Sequence, residues 1–182
     1  MVVAAWATGV RALGVEPLYS TTWRNSIDAG IMLTELLEFM RTQRFAVEAS
    51  CAADGAAQAA LVGVAVTDAF EIVFDTLDTT RKARNLRASP RAAFVLGGWI
   101  AGDERTVQFE GIADEPAGAE LERVKQAYFA VWTDGPSRAS WPGLTYFRVR
   151  PTWIRFTNFN CTPPQVIEFT SEQLGAAPAT ER

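Results

Sequence analysis

Residues 79–91 read Thr79-Thr80-Arg81-Lys82-Ala83-Arg84-Asn85-Leu86-Arg87-Ala88-Ser89-Pro90-Arg91, with five cations and no acid, in a 182-residue chain whose formal charge is -4. The threonines at its head and Ser89-Pro90 at its foot bound a short helix starting near Thr80. Arg81 and Lys82 then fall in the first turn, where the helix dipole is positive and disfavours each cation by roughly 0.3–1 kcal/mol. An anion docked there reverses the sign. A phosphate would accept hydrogen bonds from the free N–H groups of the turn, from a threonine hydroxyl and from both cationic side chains. The competing reading is a solvated helix face, and Arg84, Arg87 and Arg91 are expected to be that. Thr76, ending the preceding strand, is within reach of the same spot.

Working outward toward the N terminus, 71–75 reads as a strand. The almost wholly apolar run 59–66, with Gly63 inside it, reads as another that is expected to be covered on both faces. Asp54-Gly55 turns a hairpin back onto a strand at 45–51. Leu33, Leu36, Leu37 and Met40 fall at helical spacing, with Thr34 placed to cap and Glu35 and Glu38 suited to a helix start. Residues 1–31 show no period and are expected to be a loosely ordered extension, with Met1 and Met32 both candidate starts. Toward the C terminus, 92–96 is a strand, and 106–113 alternates Val107 and Phe109 against Gln108 and Glu110. Leu121, Val124, Tyr128 and Val131 form one helical stripe that Asp134-Gly135-Pro136 ends. Two last strands, 145–150 and 153–157, flank Pro151, and the tail over 171–182 is expected to be loose. Six or seven strands with three helices predict one α+β, barrel-like domain over 32–170, without internal repeats.

Composition removes whole classes of chemistry. The chain has no histidine, hence no imidazole metal ligand, no histidine base, no histidine axial ligand for haem and no Ser-His-Asp triad. Cys51 and Cys161 stand far apart and form no CxxC pair, so a reducing, cytoplasmic setting is expected rather than a disulfide scaffold or a zinc site. The acidic balance argues against nucleic acid as a partner. No apolar run reaches the roughly 18 residues of a membrane span, and 2–10 lacks the basic lead of a signal peptide. Asp103, Glu104, Glu110, Asp114 and Glu115 lie close together at irregular spacing and are expected to be a solvated edge, not a metal site. Trp99, Trp132, Trp141 and Trp153 are able to stack on a planar ring, but packing is the commoner use, and none is assigned.

The words Val73-Phe74-Asp75-Thr76, Thr80-Arg81-Lys82-Ala83-Arg84-Asn85-Leu86, Ser89-Pro90-Arg91-Ala92 and Val107-Gln108-Phe109-Glu110-Gly111 together resemble the pyridoxamine 5′-phosphate oxidase-like family of FMN-binding proteins. The resemblance runs over about 36–169. It implies a mostly antiparallel split β-barrel of six or seven strands with short flanking helices, forming a homodimer around the flavin. By the same resemblance Arg81 and Lys82 grip the FMN phosphate with Thr80 beside them, Asp75 and Thr76 lie along the cofactor, and Thr106 takes a ring-contacting position. Two substrate words of the oxidases are missing: the C-terminal Arg-Leu-His is absent, and the Tyr-x-x-x-Arg of the helix reads Tyr128 followed by Trp132. The expectation is therefore an FMN-dependent oxidoreductase of unassigned small-molecule substrate or electron donor, with no catalytic residue assigned. A deazaflavin cofactor on the same fold, or a flavin store without turnover, are the alternatives.

Overall fold

A computed structural model describes residues 26–175; the rest of the expected N-terminal extension, 1–25, and the tail over 176–182 lie outside the described residues. The elements run α1 (Ser26–Thr42), β1 (Phe45–Cys51), β2 (Ala57–Gly63), β3 (Ala65–Val66), β4 (Ile72–Leu77), α2 (Arg81–Ala88), β5 (Arg91–Gly97), β6 (Arg105–Asp114), α3 (Gly118–Val131), α4 (Gly135–Arg138), β7 (Leu144–Asn158), β8 (Gln165–Thr170) and α5 (Ser171–Gly175). The strands pair antiparallel in the order β2-β1-β5-β6-β7-β4-β3, with β8 branching from β7. This curled sheet with a few short helices is an α+β split barrel.

β7 holds the sheet together. Its first part, from Leu144 to Val149, pairs with β4, its last part, from Trp153 to Asn158, with β8, and the stretch from Arg148 to Asn158 with β6. The two final strands expected from the sequence are thus one strand of 15 residues. Pro151 does not end it because it sits at a β-bulge after Glu110, where a missing N–H is tolerated. Gly111 lies opposite, and a Cβ there would come 2.4 Å from the Arg150 carbonyl oxygen. The bulge thus needs a residue without a side chain.

Three other expectations are corrected. The run 59–66 is cut at Val64, whose carbonyl accepts a hydrogen bond from the Trp132 indole at 3.1 Å. Its first part, β2, is a sheet edge whose outer face is left uncovered within the single chain, with Leu61 64% exposed. Thr34 caps nothing: α1 begins at Ser26, and the Thr34 hydroxyl donates back to Gly30 O at 3.0 Å inside the helix. At the other end, 171–175 is not loose, since α5 sets Leu174 into the core. Among the helix positions expected in the core, Leu33, Leu36, Leu37, Met40, Val124 and Tyr128 are buried. Aromatic contacts fill the barrel, with Phe74 stacked on Phe147 and Phe94 edge-on to Phe74 and Phe109.

α3 is bolted to the sheet by charge. Arg148, 8% exposed on β7, donates to Asp114 through Nε and Nη2 and to Glu120 through Nη1. Arg123 reaches the buried Glu71, which also accepts from the Thr67 hydroxyl. Arg105 holds Asp103 through two nitrogens, and Arg87 holds Glu115 likewise. Asp103, Asp114 and Glu115 are therefore arginine-paired rather than simply solvated, while Glu104 and Glu110 are exposed as expected.

Candidate functional site

β4 delivers the chain into α2 through a turn that Thr80 organises. Its hydroxyl donates to Leu77 O at 2.8 Å and accepts from Ala83 N at 3.3 Å, so it is the cap. Thr76 Oγ1 lies 3.1 Å away, and since the Thr80 proton is engaged, Thr76 is the donor of that pair. Arg81 and Lys82 follow as the first two helical residues, with no acid in the first turn. Their N–H groups belong to the set that a helix leaves without internal partners. Arg81 is exposed and Lys82 half-buried. The structure thus brings Thr76, Thr80, Arg81 and Lys82 to one turn. The donors left for a ligand are the two N–H groups and the two cations.

The remaining cations of the window behave otherwise than expected. Arg84 donates to Thr79 O at 2.7 Å, and Arg87 grips Glu115 at 2.6 and 2.8 Å. Both are therefore engaged with protein and not simply solvated; Arg91 is exposed. The Arg87 pairing holds the Glu115 carboxyl below its ordinary value, and Thr145 adds a hydrogen bond to it at 2.8 Å.

Asp75 and Thr76 point to opposite faces of β4, as successive strand residues must. The Asp75 carboxylate accepts from Tyr128 OH at 2.9 Å and lies 3.3 Å from Arg138 Nη2. Burial and then the Asp75 charge push the Tyr128 phenol far above its usual range. Thr106 is remote from this turn. It pairs with Thr157, whereas Thr76 pairs with Thr145, so the two positions adjoin opposite ends of β7, about 40 Å apart along the strand contour. Thr106 is thus not part of the α2 turn that gathers Thr76, Thr80, Arg81 and Lys82.

Trp132, standing where the resemblance would put an arginine, is a structural plug. Besides its bond to Val64 O, its ring covers Gly63, where a Cβ would come within 2.6 Å, and the Arg44 guanidinium lies 4.5 Å over the ring centre. Two residues escaped the sequence reading. Arg138 comes from the four-residue α4, for which there was no periodic signal. Glu48 is 1% exposed on β1. Alternation does place Glu48 with Ala46 and Ser50 on one face, but it is the polar face that turns inward here, leaving Phe45 exposed outside.

The family model for pyridoxamine 5′-phosphate oxidase matches residues 32–158. No curated protein sequence matches the chain significantly. Among solved structures, the chain is similar to a haem-binding protein from Mycobacterium smegmatis, at 20% identity and a TM-score of 0.70, over 87% of this chain and 63% of that one. It is also similar to HutZ, the haem storage protein of Vibrio cholerae, at 15% identity and a TM-score of 0.58, over 65% of this chain and 88% of that one. A third is a Clostridium acetobutylicum protein related to general stress protein 26 of Bacillus subtilis, at 14% identity and a TM-score of 0.60, over 80% of this chain and 98% of that one. At such identities the structural likeness is one of fold, and the chain spans less than two thirds of the Mycobacterium protein. The family model, which covers well over half of the chain, carries the assignment: this protein belongs to the pyridoxamine 5′-phosphate oxidase family.

Proposed function

We propose that the chain binds FMN at the start of α2 and serves a flavin-dependent redox reaction on a small molecule. The carrying observation is the capped helix start, where Arg81 and Lys82 stand in a first turn that holds no acid. That donor set suits a phosphate. When bound, FMN supplies the hydride or electron chemistry, and the protein contributes binding, orientation and electrostatics. Thr76 and Thr80 fix the turn, and Arg81 and Lys82 hold the phosphate. A deazaflavin cofactor would use the same phosphate contacts, and a flavin store would need no substrate site.

The same reading makes the protein a homodimer. A second copy would bring its Thr106, at the far end of β7, toward a flavin held at α2 of the first. The outer face of the sheet has a row suited to such an interface, Leu61-Val47-Val95 in direct register across β2, β1 and β5. Leu61 is 64% and Val95 43% exposed, and Phe45 adds to the same face. Apolar side chains grouped in this way mark an interaction surface.

Two of the structural neighbours are named for haem, and a chain without histidine would have to bind haem through another axial ligand. Absorption spectra of the protein after incubation with FMN, a deazaflavin or haemin, followed by mass analysis of what stays bound, discriminate the readings. Tight retention of FMN is expected. Retention of haemin with no affinity for FMN would overturn the proposal.

A further inference from the structure

Glu48 is a buried acid facing the same helix that carries the proposed phosphate grip. On β1 the residues Ala46, Glu48 and Ser50 face inward. Glu48 is 1% exposed, and its Oε1 has no hydrogen-bond partner among the described residues. The residues paired with it on the two adjoining strands are Ala60 and Phe94, which carry no charge. α2 lies over this face, because the Asn85 amide donates to Ser50 Oγ at 3.3 Å and to Gln58 Oε1 at 3.0 Å. Lys82 is three residues before Asn85, so it shares that sheet-facing side of α2. Glu48 is the next inward residue along β1 from Ser50. Lys82 therefore lies on the side of α2 that overlies Glu48, without forming an ion pair with it, and its charge acts on the buried carboxyl through space. The other α2 cations are placed elsewhere: Arg84 bonds Thr79 O, Arg87 bonds Glu115, and Arg81 is exposed.

We propose that Glu48 is an internal competitor for Lys82, so that its negative charge weakens the phosphate grip at the start of α2 and loss of that charge strengthens it. The proposal rests on the reading of α2 as the phosphate site. Burial pushes the Glu48 carboxyl above its ordinary value, while the Ser50 hydroxyl and Lys82 partly offset that rise. Glu48 is neutral at the acid end and becomes charged as pH rises through its raised value. Its ionisation sets the charge of Lys82 against two anions, one inside the protein and one on the ligand. FMN itself gains charge as pH rises through its second phosphate ionisation near 6, which favours binding. The contribution of Glu48 therefore shows only in the ratio of affinities between two proteins at the same pH.

The experiment titrates FMN and riboflavin into wild type, Glu48→Gln, Lys82→Ala and the double variant between pH 5 and 8.5, with melting curves to confirm folding. Glu48→Gln should bind FMN more tightly than wild type by on the order of tenfold near pH 8. That ratio should shrink toward one at the acid end, riboflavin should be unmoved, and most of the gain should disappear when Lys82 is already alanine. Should Glu48→Gln fold poorly, Glu48→Met removes the charge at similar size and is read in the same way. An equal gain for FMN and riboflavin, or a ratio independent of pH, overturns the proposal while leaving the phosphate site standing. If Lys82→Ala leaves FMN binding untouched in an otherwise wild-type chain, the phosphate reading fails and the role of Glu48 fails with it.

Discussion

Gly111 shows how much one residue carries in this sheet. The approach of the Arg150 carbonyl at 2.4 Å and of the Phe109 ring at 2.8 Å to a notional Cβ leaves no room for a methyl group. Gly111→Ala should therefore destabilise the protein by roughly 1–3 kcal/mol. Urea unfolding with an unchanged slope and a lower midpoint is the expected result; an unchanged midpoint would mean that the bulge relaxes freely. Trp132 makes a comparable point. Its indole satisfies Val64 O and its ring packs on Gly63, so Trp132→Arg should cost stability without creating an oxidase site. No turnover of pyridoxamine 5′-phosphate is expected from either the wild type or this variant. Turnover by FMN-loaded wild type on the order of 1 per second, an ordinary enzymatic rate, would contradict that.

At the scale of elements, α2 is held from two sides, by the Asn85 amide on Ser50 and Gln58 and by the Arg87–Glu115 pair. Glu115 has its carboxyl held below its ordinary value by Arg87. A depressed folded value means that the unfolded chain takes up the proton first as pH falls. The pair's stabilisation is thus complete above the ordinary glutamate range and is lost as pH drops through the lower folded value. The stability difference between wild type and Glu115→Gln should be present at pH 7 and shrink as pH falls below about 4.5. A difference constant over that range in urea titrations would show that the pair does not act through charge.

These elements also show what sequence could reveal. The capped helix and its Arg81-Lys82 pair were legible because capping and dipole act locally, within a few residues. The exposed edge at β2 was not, because an apolar run reads the same whether the sheet or a second subunit covers it. Pro151 read as a break because its role depends on Gly111, distant in sequence and adjacent in space. Asp75 and Thr76 read as a pair, yet strand geometry sends them to opposite faces, and only the fold shows Tyr128 and Arg138 waiting for Asp75.

For the whole molecule, the separation of Thr106 from α2 along β7 and the apolar outer row of Leu61, Val47 and Val95 belong to one account. Light scattering should give a dimer mass. Leu61→Arg with Val95→Arg should yield a folded monomer that has lost most of its flavin affinity, whereas a monomeric variant with undiminished FMN binding would show that one chain is sufficient. The phosphate grip at the start of α2 is tested by titrating FMN and riboflavin into wild type and the Arg81→Ala/Lys82→Ala variant. Hydrogen bonds to charged groups contribute roughly 1.5–3 kcal/mol each, so FMN should weaken by about a hundredfold or more while riboflavin changes only a few fold. Equal losses for both ligands would mean that the pair shapes the fold, and no loss for FMN would put the phosphate elsewhere.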